Sequence, residues 1–83
     1  MPEQQIYETL TGIFHEVFGD DAIVLRSETS AKDIEGWDSF THLNLIVVVE
    51  SRFGIKIRTN EIESLENVGH LVALILARGR SRG

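Results

Sequence analysis

Cysteine is absent from this 83-residue chain, which excludes disulfides and thiolate metal sites. Histidine offers no substitute, because His15, His42 and His70 stand far apart and form no ligand spacing. Basic residues are few: eight lysines and arginines face thirteen aspartates and glutamates, a net charge of −5. The imbalance deepens when Arg78, Arg80 and Arg82 are set aside, since residues 1–77 carry five basic and thirteen acidic side chains, net −8. Such a surface repels nucleic acid and attracts basic partner proteins. No apolar run approaches the roughly 20 residues of a membrane-crossing helix, and no charged segment precedes an apolar one in the manner of a secretory leader. A cytoplasmic monomer without membrane insertion is therefore expected.

Apolar residues make up 42% of the chain and charged residues 25%, the balance of a folded globule. The length suits one domain over residues 1–83 built on a single core. The arginine tail, residues 78–83, reads as a solvated, frayed terminus in which Arg78 favours the negative end of the helix before it.

The periodicity is helical throughout. Pro2 and Glu3 suit a helix start, with proline at the first position and a negative charge in the first turn. Ile6, Leu10, Ile13 and Val17 then recur at helical spacing, and Tyr7, Phe14 and Phe18 widen the stripe into ordinary core. Gly19-Asp20-Asp21 ends this helix. Residues 19–37 form a long connection whose apolar anchors are Ile23, Val24, Leu25 and Ile34, with Ser27, Thr29, Ser30 and Asp33 supplying turn chemistry.

A second helix is expected from Asp38 to Phe53. Its Ile46-Val47-Val48-Val49 run is β-branched and favours a strand locally. Against that, no glycine or proline interrupts about four turns, a cap stands in front and Gly54 behind. Wound as a helix, Leu45, Ile46, Val49 and Phe53 share a core face, while Phe40, Leu43 and Val47 form a second apolar stripe. That stripe either packs on the long loop or is an exposed docking surface.

Ile55 and Ile57 alternate with Lys56 and Arg58 in a short extended connector. Thr59 or Asn60 can cap a brief third helix, Asn60 and Glu63 having capping-box spacing. Asn67 or Ser64 can open a last helix carrying Val68, Leu71, Val72, Ile75 and Leu76, which Gly79 closes. The fold class is all-α: a four-helix up-down bundle of three main helices and one short one, with a long first loop.

The chain is organised around Gly36-Trp37-Asp38-Ser39-Phe40. Gly36 permits a tight backbone approach. Asp38 is a helix cap whose carboxylate accepts from first-turn N–H groups. With the cap supplied by Asp38, the Ser39 hydroxyl is left free at the N-terminus of an apolar helix, where an attached anion sits beside the positive end of the dipole. The residues around this serine argue against a hydrolase. His42 lies three residues along the same helix with its ring on the solvent face, Asp38 is committed to the cap, and the Gly-x-Ser-x-Gly elbow is missing.

Gly-x-Asp-Ser before a large apolar residue, early in the second helix of a small acidic domain, resembles the acyl carrier proteins, and the resemblance covers nearly the whole chain. It implies a carrier, not an enzyme, with 4'-phosphopantetheine on Ser39 through a phosphodiester, holding acyl groups as thioesters for acyl-loading and acyl-processing enzymes. It implies a phosphopantetheinyl transferase that uses coenzyme A and magnesium, with Asp38 at the transferase contact positioning the metal. Trp37, Phe40, Leu43 and Val47 become the partner-facing residues, although Trp37 equally fits a loop staple. Leu45, Ile46, Val49, Ile62 and Leu65 become candidates for an acyl pocket, and simple core packing accounts for them as well.

The chain departs from the family pattern in three places. Glu35 lengthens the loop between Ile34 and Gly36. Phe40 replaces the usual leucine, and Thr41, His42 and Asn44 stand where carboxylates are common. The last feature suggests a dedicated lipid, polyketide or related pathway. The other readings are an aminoacyl or peptidyl carrier and a helical docking module that is never modified.

Overall fold

Pro2 leads into the first helix, α1 (Glu3–Phe18), of a computed structural model that describes residues 2–80. Expected as the first helical residue, Pro2 instead flanks the helix with extended backbone (ψ 149°), and its carbonyl accepts from the Ile6 N–H at 3.2 Å. Ile6, Leu10, Ile13 and Phe14 form the buried face. Gly19 ends the helix with φ 63°, a left-handed cap that costs glycine little.

The long loop is extended around Ile23 and Leu25, which pack against the core. Val24, expected as a third anchor, is 72% exposed. Side chains alternate along extended backbone, so inward neighbours turn Val24 outward. Farther on, the Thr29 hydroxyl accepts from the Arg26 N–H at 2.9 Å. A short 3-10 turn over Ala31–Asp33 follows, its Asp33 carboxylate accepting from the Ser30 N–H. The loop then runs over the start of α4 (Val68–Arg80): the Val68 and Gly69 N–H groups each donate at 2.8 Å, to the Thr29 and Ser27 carbonyls. Helix-start amides that have no partner inside their helix are thus satisfied by the loop, and the loop gains a fixed path.

The β-branched run does wind as a helix, α2 (Ser39–Phe53). Leu45, Ile46 and Val49 are buried and Phe53 is half-buried, so tertiary burial overrides local strand preference. Gly54 closes α2 at φ 67°. Ile55 and Ile57 are buried in the connector while Lys56 and Arg58 are exposed, and the Glu50 carboxylate accepts from the Ile57 N–H at 2.7 Å.

The short third helix, α3 (Thr59–Ser64), starts earlier than the Asn60–Glu63 box requires. Buried Ile57 sets the register, and the Glu61 carboxylate reaches back to the Arg58 N–H at 2.9 Å. Glu61 also pairs with Arg78, which donates to the Lys56 carbonyl. The Arg58 N–H bond, with Arg78 beside it, holds the Glu61 carboxyl below its usual range. Arg78 is therefore not the solvated end residue expected, and α4 runs through Gly79 instead of ending there. The side chain of Arg80 and the rest of the basic tail, residues 81–83, lie outside the described residues.

Asn67 caps α4 by accepting from the His70 N–H at 2.9 Å. Val68, Leu71, Val72 and Ile75 face the core, where α1 packs against both α2 and α4. The result is a helical bundle. Among the described residues there is no strand, and no helix is long and apolar enough to cross a membrane.

Candidate functional site at the start of α2

The backbone reaches α2 through Gly36, whose φ of 91° lies in the left-handed region. Asp38 then caps the helix: Oδ1 accepts from the Phe40 N–H at 2.9 Å and the Thr41 N–H at 3.0 Å. Thr41 answers with its hydroxyl, which accepts from the Asp38 N–H at 2.8 Å and donates to the Gly36 carbonyl at 2.7 Å. The last loop residues and the first helical turn are one hydrogen-bonded unit. Chiefly through the Thr41 N–H, with help from Phe40 and the Thr41 hydroxyl, the Asp38 carboxyl is held below its usual range, which keeps it ionised.

Ser39 is the first residue of α2 and is exposed. Among the described residues its hydroxyl has no hydrogen-bond partner. Beside it lies the apolar stripe: Phe40 is 85% exposed, Leu43 57% and Val47 62%. Thr41 and Asn44 border it without charge. The first charged side chains down the helix are already engaged, Glu50 with the Ile57 N–H and Arg52 with Glu16 at 3.2 Å.

Trp37 does not join that surface. Its half-buried indole meets Phe14 edge-on with centroids 5.2 Å apart and lies 6.1 Å from Phe18. It stacks on His42 at 5.9 Å, and its Nε1–H donates to His42 Nδ1 at 3.0 Å. Trp37 is thus a loop staple, because α1 offers it an aromatic seat. His42 is also corrected: its ring is part-buried between Trp37 and α3, with Nε2 3.4 Å from the Ile62 carbonyl. Of the candidate pocket residues, Leu45, Ile46 and Val49 are closed core, while Ile62 and Leu65 sit half-buried at its edge.

Two residues of this site escaped sequence reasoning. Thr41 had a readable signal, since Asp38 and Thr41 have capping-box spacing with a hydroxyl in place of the usual carboxylate. His42 had none, because its surroundings depend on where the loop and α3 come to lie.

No family model matches the chain. Single relatives do: over 75 residues it is 32% identical to the acyl carrier protein of Exiguobacterium sp., spanning 90% of this chain and 95% of that one. The chain belongs to the acyl carrier protein family. It is also 32% identical over 73 residues to the meromycolate extension acyl carrier protein of Mycolicibacterium aurum, covering 88% of this chain and 75% of that protein. Among solved structures it resembles the holo acyl carrier protein of Geobacter metallireducens, with 46% identity and a TM-score of 0.86 over 92% of this chain and 87% of that one. These relatives are carriers and not catalysts, and the same role holds for this chain.

Proposed function

We propose that this carrier holds acyl groups as thioesters on a 4'-phosphopantetheine arm joined to Ser39, and presents them to enzymes of a dedicated lipid, polyketide or related pathway. The exposed, unpartnered hydroxyl of Ser39, set beside an aspartate that already fills the cap, carries the reading. The similarity to a holo carrier supports it. The site fits the group: a hydroxyl in the open accepts a bulky phosphodiester without displacing a contact, and a helix N-terminus favours its negative charge.

In the loading step the Ser39 hydroxyl attacks the pyrophosphate of coenzyme A. The Oγ–P bond forms as the P–O bond to the adenosine nucleotide breaks, and the hydroxyl proton passes to a base of the transferase. Asp38 caps the helix start through Oδ1, and its exposed carboxylate would meet the transferase and help position the magnesium there. Once bound, the arm supplies the thiol on which the acyl group rides. Phe40, Leu43 and Val47 form the surface that partners touch, and Ile62 and Leu65 border a place for the acyl chain.

Intact mass after incubation with coenzyme A, magnesium and a broad-specificity phosphopantetheinyl transferase tests the attachment. Wild type is expected to gain one phosphopantetheine and Ser39→Ala none. Modification that survives in Ser39→Ala moves the site elsewhere, and a wild type refused by several active transferases points to an unmodified docking module.

The dedicated pathway rests on the uncharged start of α2. Apolar contacts are indifferent to ionic strength, whereas ion pairs at an interface rim are screened. Transfer from the loaded carrier to a housekeeping ketosynthase is therefore expected to be slow and nearly independent of salt. Ordinary rates that fall steeply with salt would overturn the dedicated role.

A further inference from the structure

We propose that His42 is a positioning residue: through Trp37 it holds the segment in front of Ser39 against α3. What is positioned rests on the reading of Ser39 given above; the latch itself does not. An indole N–H is only a donor, so the 3.0 Å contact from Trp37 Nε1 makes His42 Nδ1 the acceptor. In the neutral ring the proton then sits on Nε2, which faces the Ile62 carbonyl at 3.4 Å. One imidazole thus joins residue 37, two positions before Ser39, to the backbone of α3.

Each end of this chain needs the tie. Phe14 and Phe18 set where the Trp37 ring lies, and the bond to His42 sets which way its N–H edge points. At the other end, α3 has six residues of which none is fully buried, and beside the half-buried Ile62 at the core edge, polar ties such as Glu61 to Arg78 and His42 to Ile62 help place it. Ser39 and α3 therefore share one support. A loosened latch leaves the serine segment to be ordered when the transferase binds, a cost that appears in KM and not in kcat.

The full-length unmodified protein, labelled with nitrogen-15, gives the first test. The neutral His42 ring is expected to carry its proton on Nε2, and the Trp37 indole proton to exchange slowly with water. A proton on Nδ1, or a freely exchanging indole, overturns the proposal. Trp37→Phe keeps an aromatic ring on Phe14 but removes the donor, and His42→Leu removes the acceptor. Each is expected to speed amide exchange at both residue 37 and Ile62, whose N–H groups donate to the Ile34 and Arg58 carbonyls, and to raise KM for this carrier in transfer from coenzyme A about fivefold, the factor of one net hydrogen bond. The double variant is expected to be no worse than either single one, and His42→Asn, whose amide oxygen can take the Trp37 proton, to recover part of the loss. Unchanged exchange and KM in Trp37→Phe, or losses that simply add, overturn it. Should the wild type resist modification altogether, the Ser39 reading falls, and amide exchange and the tautomer still decide the latch.

Discussion

Phe14→Ala is expected to lower the free energy of unfolding by about 3–5 kcal/mol, the usual cost of a large core cavity. A chain of this length has only about 4–12 kcal/mol to lose. Phe14 is 0% exposed and lies on the buried face of α1 beside Leu10 and Ile13. It also seats Phe18 at 5.5 Å and Trp37 at 5.2 Å, so truncation removes core volume and the platform of the loop staple together. Urea unfolding followed by helical circular dichroism measures the loss, a better probe than indole fluorescence, which reports Trp37 directly. A loss under about 1 kcal/mol would mean that α1 and the loop collapse to fill the space and that Phe14 is not what joins them.

The same substitution at two glycines is expected to act in opposite directions. At Gly69 a Cβ would stand 2.9 Å from the Ser27 carbonyl oxygen and 3.2 Å from Asn67 Oδ1. The first is backbone, and it is the very group that accepts from the Gly69 N–H at 2.8 Å. It cannot step aside without undocking the loop from α4. Gly69→Ala should therefore cost about 1–3 kcal/mol, the range for overfilling a packed site. At Gly12, in the middle of α1, nothing lies within 4 Å of the added methyl, and alanine is the better helix former by about 1 kcal/mol. Gly12→Ala should raise the urea midpoint. Two variants that shift the midpoint in the same direction would show that the seam between loop and α4 is not a close contact.

These contrasts mark what the sequence could and could not disclose. The cap at Asp38 and the stops at Gly19 and Gly54 were legible because each is a local device, set by a side chain within three residues or by a backbone angle that glycine alone takes cheaply. The helix through Val47-Val48-Val49 was legible from uninterrupted length against propensity. The exposed place of Ser39 at the start of α2 was legible because its neighbour already does the capping. The larger misreadings are tertiary. Val24 is as apolar as Ile23, and only the path of the extended segment tells them apart. Arg78 reads as a tail residue because its partners, Glu61 and the Lys56 carbonyl, are 17 and 22 positions away. Trp37 and His42 met the same obstacle, since their pairing depends on a loop whose course α4 helps to set.

That last dependence bears on the order in which the chain matures. The bonds from Val68 and Gly69 to Thr29 and Ser27 close a stretch of about forty residues, a long-range closure that local helix formation cannot supply. During synthesis the first two helices leave the ribosome well before α4 does. Until α4 arrives, the middle of the loop lacks these two bonds, and its contacts with α1, Trp37 on Phe14 and Phe18 among them, are what hold it. The C-terminal helix thereby helps to set the course of a loop whose far end it does not touch.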